Sequence, residues 1–251
     1  MIKFGTGGWR AIIGDGFTKE NIQILAQAMA SKMKAENVAD RGIVIGYDRR
    51  FLAKEAMQWA SEVFAANRIK AKLINRSCPT PLVMYYVEKN DLPYGMMVTA
   101  SHNPAIYNGV KVFTAGGRDA DEMQTAEIEE YISDIALPIE TINYEDAKAE
   151  GLIEEFYPIN DYLDSIIGKI NTKAIREADL KVALDPMYGV GETAIKTILL
   201  TARCEIEVIH GAHDTLFGGK LPAPNEPAME PLKTCVKDKH CDIGIATANS
   251  N

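Results

Sequence analysis

The sequence predicts an α/β protein made of two consecutive layered α/β domains, with mixed, mostly parallel sheets flanked by helices. Three observations carry that expectation. Short apolar, β-branched runs alternate with longer stripes at helical spacing along the whole chain, the signature of strands joined by crossover helices. The alternation lapses in an acidic stretch from Leu137-Pro138 to about Glu155 and then restarts. Finally, 251 residues that are 47% hydrophobic suffice for one large core or two modest ones. The lapse favours two: a first domain over 1–137, a connector over 138–160 with room for one short helix, and a second domain over 161–251.

In the first domain, Phe4-Gly5-Thr6-Gly7-Gly8-Trp9-Arg10-Ala11 crowds three glycines into four positions and ends on an arginine. Glycines permit close backbone approach to a ligand, and Arg10 offers a rigid fork of donors suited to phosphate. The Walker spacing is lacking, so a nucleotide loop is not implied. Thr18 to about Glu36 places Ile22, Leu25, Ala26, Met29 and Met33 on one helical face, with Thr18 as cap. Gly42 to Tyr47 reads as a buried strand whose carboxyl end delivers Asp48, Arg49 and Arg50, the end at which open α/β sheets bind ligands. A helix with Ala56, Met57, Ala60, Val63 and Phe64 on one stripe follows, then a strand over Ile69–Ile74. Thr80 is expected to cap the next helix, with Pro81 in its first turn.

Gly95-Met96-Met97-Val98 and Val110-Lys111-Val112-Phe113 read as strands, locally antiparallel, bracketing Thr99-Ala100-Ser101-His102-Asn103-Pro104. Asn103 precedes a proline and is steered away from helix. Asn108-Gly109 is expected to supply a positive-φ turn that starts the return strand. Ser101 would thus sit on a constrained tip suited to an anion, with His102 beside it and Lys111 returning to the same end, a candidate phosphoryl carrier. Gly116-Gly117 predicts a turn, and Asp119 with Glu122 a capping pair for a helix to about Ile135.

After the connector a helix is expected from Asp161 to about Ile170. Leu180–Asp185 is a strand, Pro186–Gly191 a glycine turn, Glu192–Leu200 a helix and Glu205–Ile209 a strand. A Gly-Pro-rich stretch from Gly218 to Pro231 precedes another helix, and Cys241–Ala246 is the last strand. Gly189-x-Gly191 lacks the third glycine of a dinucleotide fingerprint.

A formal charge of −8 argues against a nucleic-acid partner, which would need clustered cations. Met1-Ile2-Lys3-Phe4-Gly5 shows neither an apolar signal core nor a basic leader, and no apolar run approaches a membrane span, so a soluble, cytoplasmic protein without a membrane partner is expected. Cys78, Cys204, Cys235 and Cys241 form no C-x-x-C pair, which argues against a disulfide framework. His210, His213 and His240-Cys241 match no standard zinc spacing.

The run from Thr99 to Lys111 resembles the active-site serine loop of the α-D-phosphohexomutase superfamily, the phosphoglucomutase and phosphomannomutase enzymes. The opening run resembles that superfamily's G-T-x-G-x-R signature, and Gly46, Asp48 and Arg50 its G-x-D-x-R. Asp185-Pro186 with Gly189-Val190-Gly191 resembles its second domain, so the likeness spans nearly the whole chain.

The resemblance implies an isomerase that moves phosphate between O1 and O6 of a hexose through phosphoserine and a bisphosphorylated sugar of the glucose 1,6-bisphosphate type. Ser101 would carry the phosphate, also offering a phosphate oxygen to Mg²⁺, with Arg10 and Lys111 as fixed positive charge. His102 would either hydrogen-bond the phosphate or assist proton transfer. Asp48 and Arg50 would brace the loop, with Asn103 and Asn108 as supporting residues. Phosphoglucosamine or phosphopentose mutase and a non-catalytic sugar-phosphate-binding homologue are the alternatives.

The pattern breaks after Gly244-Ile245-Ala246-Thr247. There the superfamily has an aspartate-rich loop binding Mg²⁺, and this sequence reads Ala248-Asn249-Ser250-Asn251. Hard cations need anionic oxygen ligands. Domains III and IV of the superfamily also have no counterpart, so the expectation is an inactive amino-terminal fragment whose exposed apolar face would favour self-association.

Overall fold

The computed structural model describes residues 2–5 and 8–250, and divides into two units: 1–100 with 106–157, and 101–105 with 158–251. Of the opening glycine run, Thr6 and Gly7 lie outside the described residues.

The first unit runs β1 (Phe4–Gly5), β2 (Gly8–Ile12), α1 (Lys19–Ala35), β3 (Ile43–Tyr47), α2 (Ala53–Ala66), β4 (Ala71–Ile74), α3 (Thr80–Lys89), β5 (Tyr94–Val98), β6 (Tyr107–Thr114), β7 (Arg118–Asp119), α4 (Glu122–Ser133), α5 (Tyr144–Ala149) and β8 (Ile153–Phe156). The sheet order is β1-β2-β6-β5-β3-β4-β8, with β7 pairing β6. Strands β5, β3, β4 and β8 run parallel, while β6 is antiparallel to both β2 and β5. The core joins Ile22, Leu25, Met29 and Met33 of α1 to Met57 and Phe64 of α2 and to Ile43, Ile45, Met96 and Val98 of the sheet, all buried. Each such side chain contributes about 1.5–3 kcal/mol. Thr18 caps α1 as expected, its hydroxyl accepting from Asn21 N at 3.2 Å.

The second unit holds α6 (Ile159–Ile167), α7 (Thr172–Glu177), β9 (Lys181–Asp185), α8 (Gly191–Thr201), β10 (Glu205–Val208), α9 (Glu226–Asp238) and β11 (Ile243–Ala246). Its sheet, β10-β9-β11, is parallel throughout. Val182, Ala202 and Cys204 form a small buried cluster, and Ile243 remains 48% exposed on the edge strand.

Several local expectations are corrected. Asn108 and Gly109 do not make a positive-φ turn; both lie inside β6, opposite Ala11 and Arg10, and the left-handed residue of the connection is Ser101 at φ 54°. Glycine is required at 109 by proximity instead, since a Cβ there would lie 2.1 Å from the Trp9 carbonyl oxygen. Thr80 is the first residue of α3 and Pro79 its N-cap; the buried Thr80 hydroxyl has no hydrogen-bond partner among the described residues. The α4 cap is Asp121, with Gln124 reaching back to close a capping box, while Asp119 belongs to β7.

The stretch read as a connector contributes a helix and β8, which extends the main sheet beside β4. Its charges, Glu154 and Glu155, point away from a core and hide the strand pattern. Helix α7 was not expected. Helix α9 begins inside the Gly-Pro-rich stretch, because Pro227 in a first turn forfeits an N–H that has no intrahelical acceptor there.

Candidate active site

Parallel β3 ends with its carboxyl terminus between those of its neighbours, and there a buried polar lattice ties three strands together. Asp48 and Arg50 both have fully buried side chains, with Nε of Arg50 3.7 Å from Oδ2 of Asp48. The Asp48 carboxylate accepts from Arg50 N through Oδ1 at 2.9 Å and from the Thr99 hydroxyl through Oδ2 at 2.6 Å. Its own amide donates to the Val98 carbonyl at 3.1 Å. Arg50 Nη1 donates to the Tyr107 carbonyl at 2.9 Å, which carries the lattice across to β6. Asn108, also buried, donates to the Phe51 carbonyl at 3.0 Å and accepts from Gly109 N at 2.8 Å. Burial pulls the Arg50 pKa down, the Asp48 carboxylate opposes that, and the charge of Arg10 adds to the lowering. Arg10 itself sits on β2 opposite Gly109.

The lattice fixes both ends of the loop that carries the serine. Thr99 N donates to Gly109 O at 2.9 Å, so the residues before and after the loop are pinned to one another. Ser101 is half-buried, His102 exposed and Asn103 half-buried. Ser101 Oγ lies 3.4 Å from Nδ1 of His102, longer than a full hydrogen bond. A left-handed backbone at a serine is a strained conformation of the kind that persists where the surroundings impose it. Lys111 is on β6 opposite Met97, and its ammonium lies 3.4 Å from Oδ1 of Asp119 on β7. Part of the positive charge expected of it is thus engaged within its own sheet.

Thr99 is the contributor that sequence reasoning missed. It opens the run that carries the resemblance but was given no role there, and its partner Asp48 is 51 positions away. A second strand-end carboxylate occurs in the other unit. Asp185, fully buried at the end of β9, accepts from Met187 N through Oδ1 at 2.8 Å, and its Oδ2 lies 3.0 Å from Nδ1 of His210. The His210 ring in turn lies against Tyr188, with centroids 4.9 Å apart.

Comparison with known proteins places this geometry. Residues 1–138 match the family model of phosphoglucomutase/phosphomannomutase alpha/beta/alpha domain I, and residues 160–249 match that of domain II. The chain belongs to this family.

As members of the α-D-phosphohexomutase superfamily, its relatives include a protein named probable phosphoglucosamine mutase from Methanobrevibacter smithii, 30% identical over 246 residues, covering 97% of this chain and 52% of the relative. A phosphoglucomutase from Staphylococcus haemolyticus is 32% identical over 204 residues, covering 79% of this chain and 37% of the relative. A crystal structure from Thermus thermophilus that bears the name putative phosphomannomutase superposes with a TM-score of 0.88 at 26% identity, covering 99% of this chain and 55% of that one. The chain thus spans about half the length of the curated relatives it matches over nearly all of its own length.

The Mg²⁺ implied by membership in the phosphohexomutases does not fit the residues present. Among the described residues no group of three His, Cys, Asp or Glu side chains could hold a metal ion. After β11, Thr247-Ala248-Asn249-Ser250 offers only neutral oxygens, and Ala248 to Ser250 are buried. They pack onto the turn after β9: Val190 N donates to Asn249 O at 2.9 Å, and a Cβ on Gly189 would lie 2.5 Å from Asn249 Cα. No helix among the described residues is long and apolar enough to cross a membrane.

Proposed function

We propose that this chain carries the phosphoserine portion of a phosphohexomutase, with Ser101 as the phosphoryl acceptor and donor. The observation that supports this most directly is the braced loop. Ser101 is held in a left-handed conformation two residues beyond Thr99, whose hydroxyl is bound to the buried Asp48 carboxylate of the Asp48–Arg50 pair. In the reaction, a phosphoryl group passes from Ser101 Oγ to a free hydroxyl of a hexose monophosphate, which yields its proton as the new P–O bond forms. The resulting bisphosphate reorients and returns its other phosphoryl group to Ser101. Such transfers rest on positioning and on fixed positive charge around the phosphoryl oxygens. Arg10 and Lys111 are assigned that charge, and His102 either hydrogen-bonds the phosphate or moves the hydroxyl proton. Asp48, Arg50 and Asn108 hold the loop without touching substrate, and Asn103 orients its exit.

The names of the relatives, phosphoglucosamine mutase and phosphoglucomutase, support a hexose or hexosamine phosphate as substrate; a phosphopentose remains the alternative substrate class. A sugar bisphosphate of the glucose 1,6-bisphosphate type would prime the serine, and domains III and IV would be partners in turnover. The lack of a metal-holding group among the described residues supports a second reading, in which this chain binds sugar phosphates but does not turn them over unaided. Self-association has its physical basis in β11, an uncharged edge strand with Ile243 exposed.

The test is incubation with glucose 1,6-bisphosphate followed by peptide mass mapping, on this chain and on a version extended to the length of the relatives. The expected result is one phosphate on the peptide containing Ser101 and none in Ser101→Ala. Phosphate on another residue, or none in the extended protein, overturns the phosphoserine assignment. An extended protein that is labelled but shows no Mg²⁺-supported turnover favours the binding reading.

A further inference from the structure

Two of the four cysteines, Cys235 in the last turns of α9 and Cys241 just beyond it, flank the exit of that helix. The helix starts on Asn225, whose side chain accepts from Ala228 N at 3.0 Å, and its last residue is Asp238. At its exit Lys239 N donates to Cys235 O at 3.0 Å, His240 N to Lys237 O at 3.3 Å and Cys241 N to Val236 O at 2.9 Å. His240 occupies the left-handed region at φ 53°. This is the paired six-to-one and five-to-two bonding of a Schellman exit, in which the residue after the left-handed one folds its side chain back onto the last helical turn. In this helix that residue is Cys241, and the positions such a fold-back faces are Val236 and Cys235.

Electrostatics agree with the bonding pattern. Burial raises the Cys241 thiol, and the next contribution in size is the neighbouring Cys235. The chain is then anchored at once, because Asp242 N donates to Lys181 O at 2.8 Å and its carboxylate accepts from Lys181 N at 2.8 Å. Cys241 therefore cannot swing away from the helix end without breaking the first rung between β9 and β11. The other two cysteines behave differently. Cys78 and Cys204 are buried, and burial pushes the Cys78 thiol up to about 12. Cys235 and Cys241 are each half-buried, open to a small reagent.

We propose that Cys235 and Cys241 form a redox pair that closes an intramolecular disulfide by exchange with a small-molecule disulfide such as oxidised glutathione. One cysteine thiolate attacks a sulfur of the reagent, forming a mixed disulfide and expelling one glutathione thiolate. The second cysteine thiolate attacks the protein sulfur of that mixed disulfide and expels the other. Two electrons pass from the cysteine pair to the reagent, and the two thiol protons end on the two glutathiones or in solvent. The bridge ties the end of α9 to the start of β11, the strand that leads into the buried Thr247–Ser250 segment. Because the attacking species is a thiolate and Cys241 is held up, closure quickens with pH, by about tenfold per unit where Cys241 is the attacking group and still largely protonated.

The experiment treats the folded, fully reduced chain with oxidised glutathione, traps remaining thiols with N-ethylmaleimide and maps the tryptic peptides. The expected product joins peptide 234–237 to peptide 240–251, with Cys78 and Cys204 alkylated only after denaturation. Cys235→Ser and Cys241→Ser should each stop at a glutathione adduct on the remaining cysteine, with circular dichroism confirming the fold. Wild-type chains that retain a glutathione on each of the two cysteines, remain fully reduced, or join through them to a second chain overturn the proposal.

Discussion

Both units place an aspartate at the carboxyl end of a buried parallel strand, and both use it to hold the turn that follows. Asp48 after β3 and Asp185 at the end of β9 each accept, through Oδ1, from the amide two residues on, at 2.9 and 2.8 Å. They part company at the other oxygen. Oδ2 of Asp48 accepts a hydrogen bond from the hydroxyl of Thr99, just past the end of β5, and faces the buried Arg50 guanidinium. Oδ2 of Asp185 meets His210, whose side chain is 26% exposed. The same local device therefore serves two ends: in the first unit it neutralises a charge that cannot reach water, and in the second it orients a ring that can. A buried charge makes its partner indispensable, whereas a ring in contact with solvent does not.

Substitution tests this contrast. Asp48→Asn removes the counter-charge of a fully buried guanidinium, and the expected loss is about 3–5 kcal/mol in denaturant unfolding of the first unit. Asp185→Asn keeps an oxygen for the Met187 amide and gives up only the charge facing His210; the expected loss is about 1–3 kcal/mol. Equal losses at the two sites would show that the shared turn contact dominates and that the charge partners are incidental. Asp121→Ala supplies the baseline, since that aspartate caps α4 on the surface with neither a buried charge nor a strand turn to hold. About 1 kcal/mol is expected there, read as a shift in the unfolding midpoint.

The elements that sequence reasoning recovered best were those whose side chains all face one way. The α1 stripe from Ile22 to Met33 and the β3 run from Ile43 to Tyr47 are legible because burial imposes their period. Caps were legible unevenly: Thr18 was placed to the residue, whereas Asp119 and Asp121 have the same chemistry, and only the backbone path decides which one precedes the helix. Strand β8 was masked because an edge strand tolerates consecutive glutamates where a central strand cannot. At the candidate site, the motifs that carry the resemblance singled out Ser101, Arg10 and Asp48 as candidates, yet the contacts around them did not follow from those motifs. Thr99 reaches Asp48 and Arg50 reaches Tyr107 across 51 and 57 positions, and such pairings exist only once the strand order is set. Gly109 shows the same limit from the other side. Its residue type suggested a turn, while the actual constraint is the crowding of β2 against β6.

Among the four terminal strands of the two sheets, β8 in the first unit and β11 in the second differ in how they would meet a newcomer. Along β8, Glu154 and Glu155 put charged groups on the edge, paired within the unit with Lys72 and Lys148, and a newcomer strand would have to displace them. Along β11, Ile243-Gly244-Ile245-Ala246 offers neither a charge nor a proline to refuse a newcomer. These four residues lie outside the buried Asp48–Arg50 lattice, so a charge placed among them would blunt that edge without disturbing the lattice.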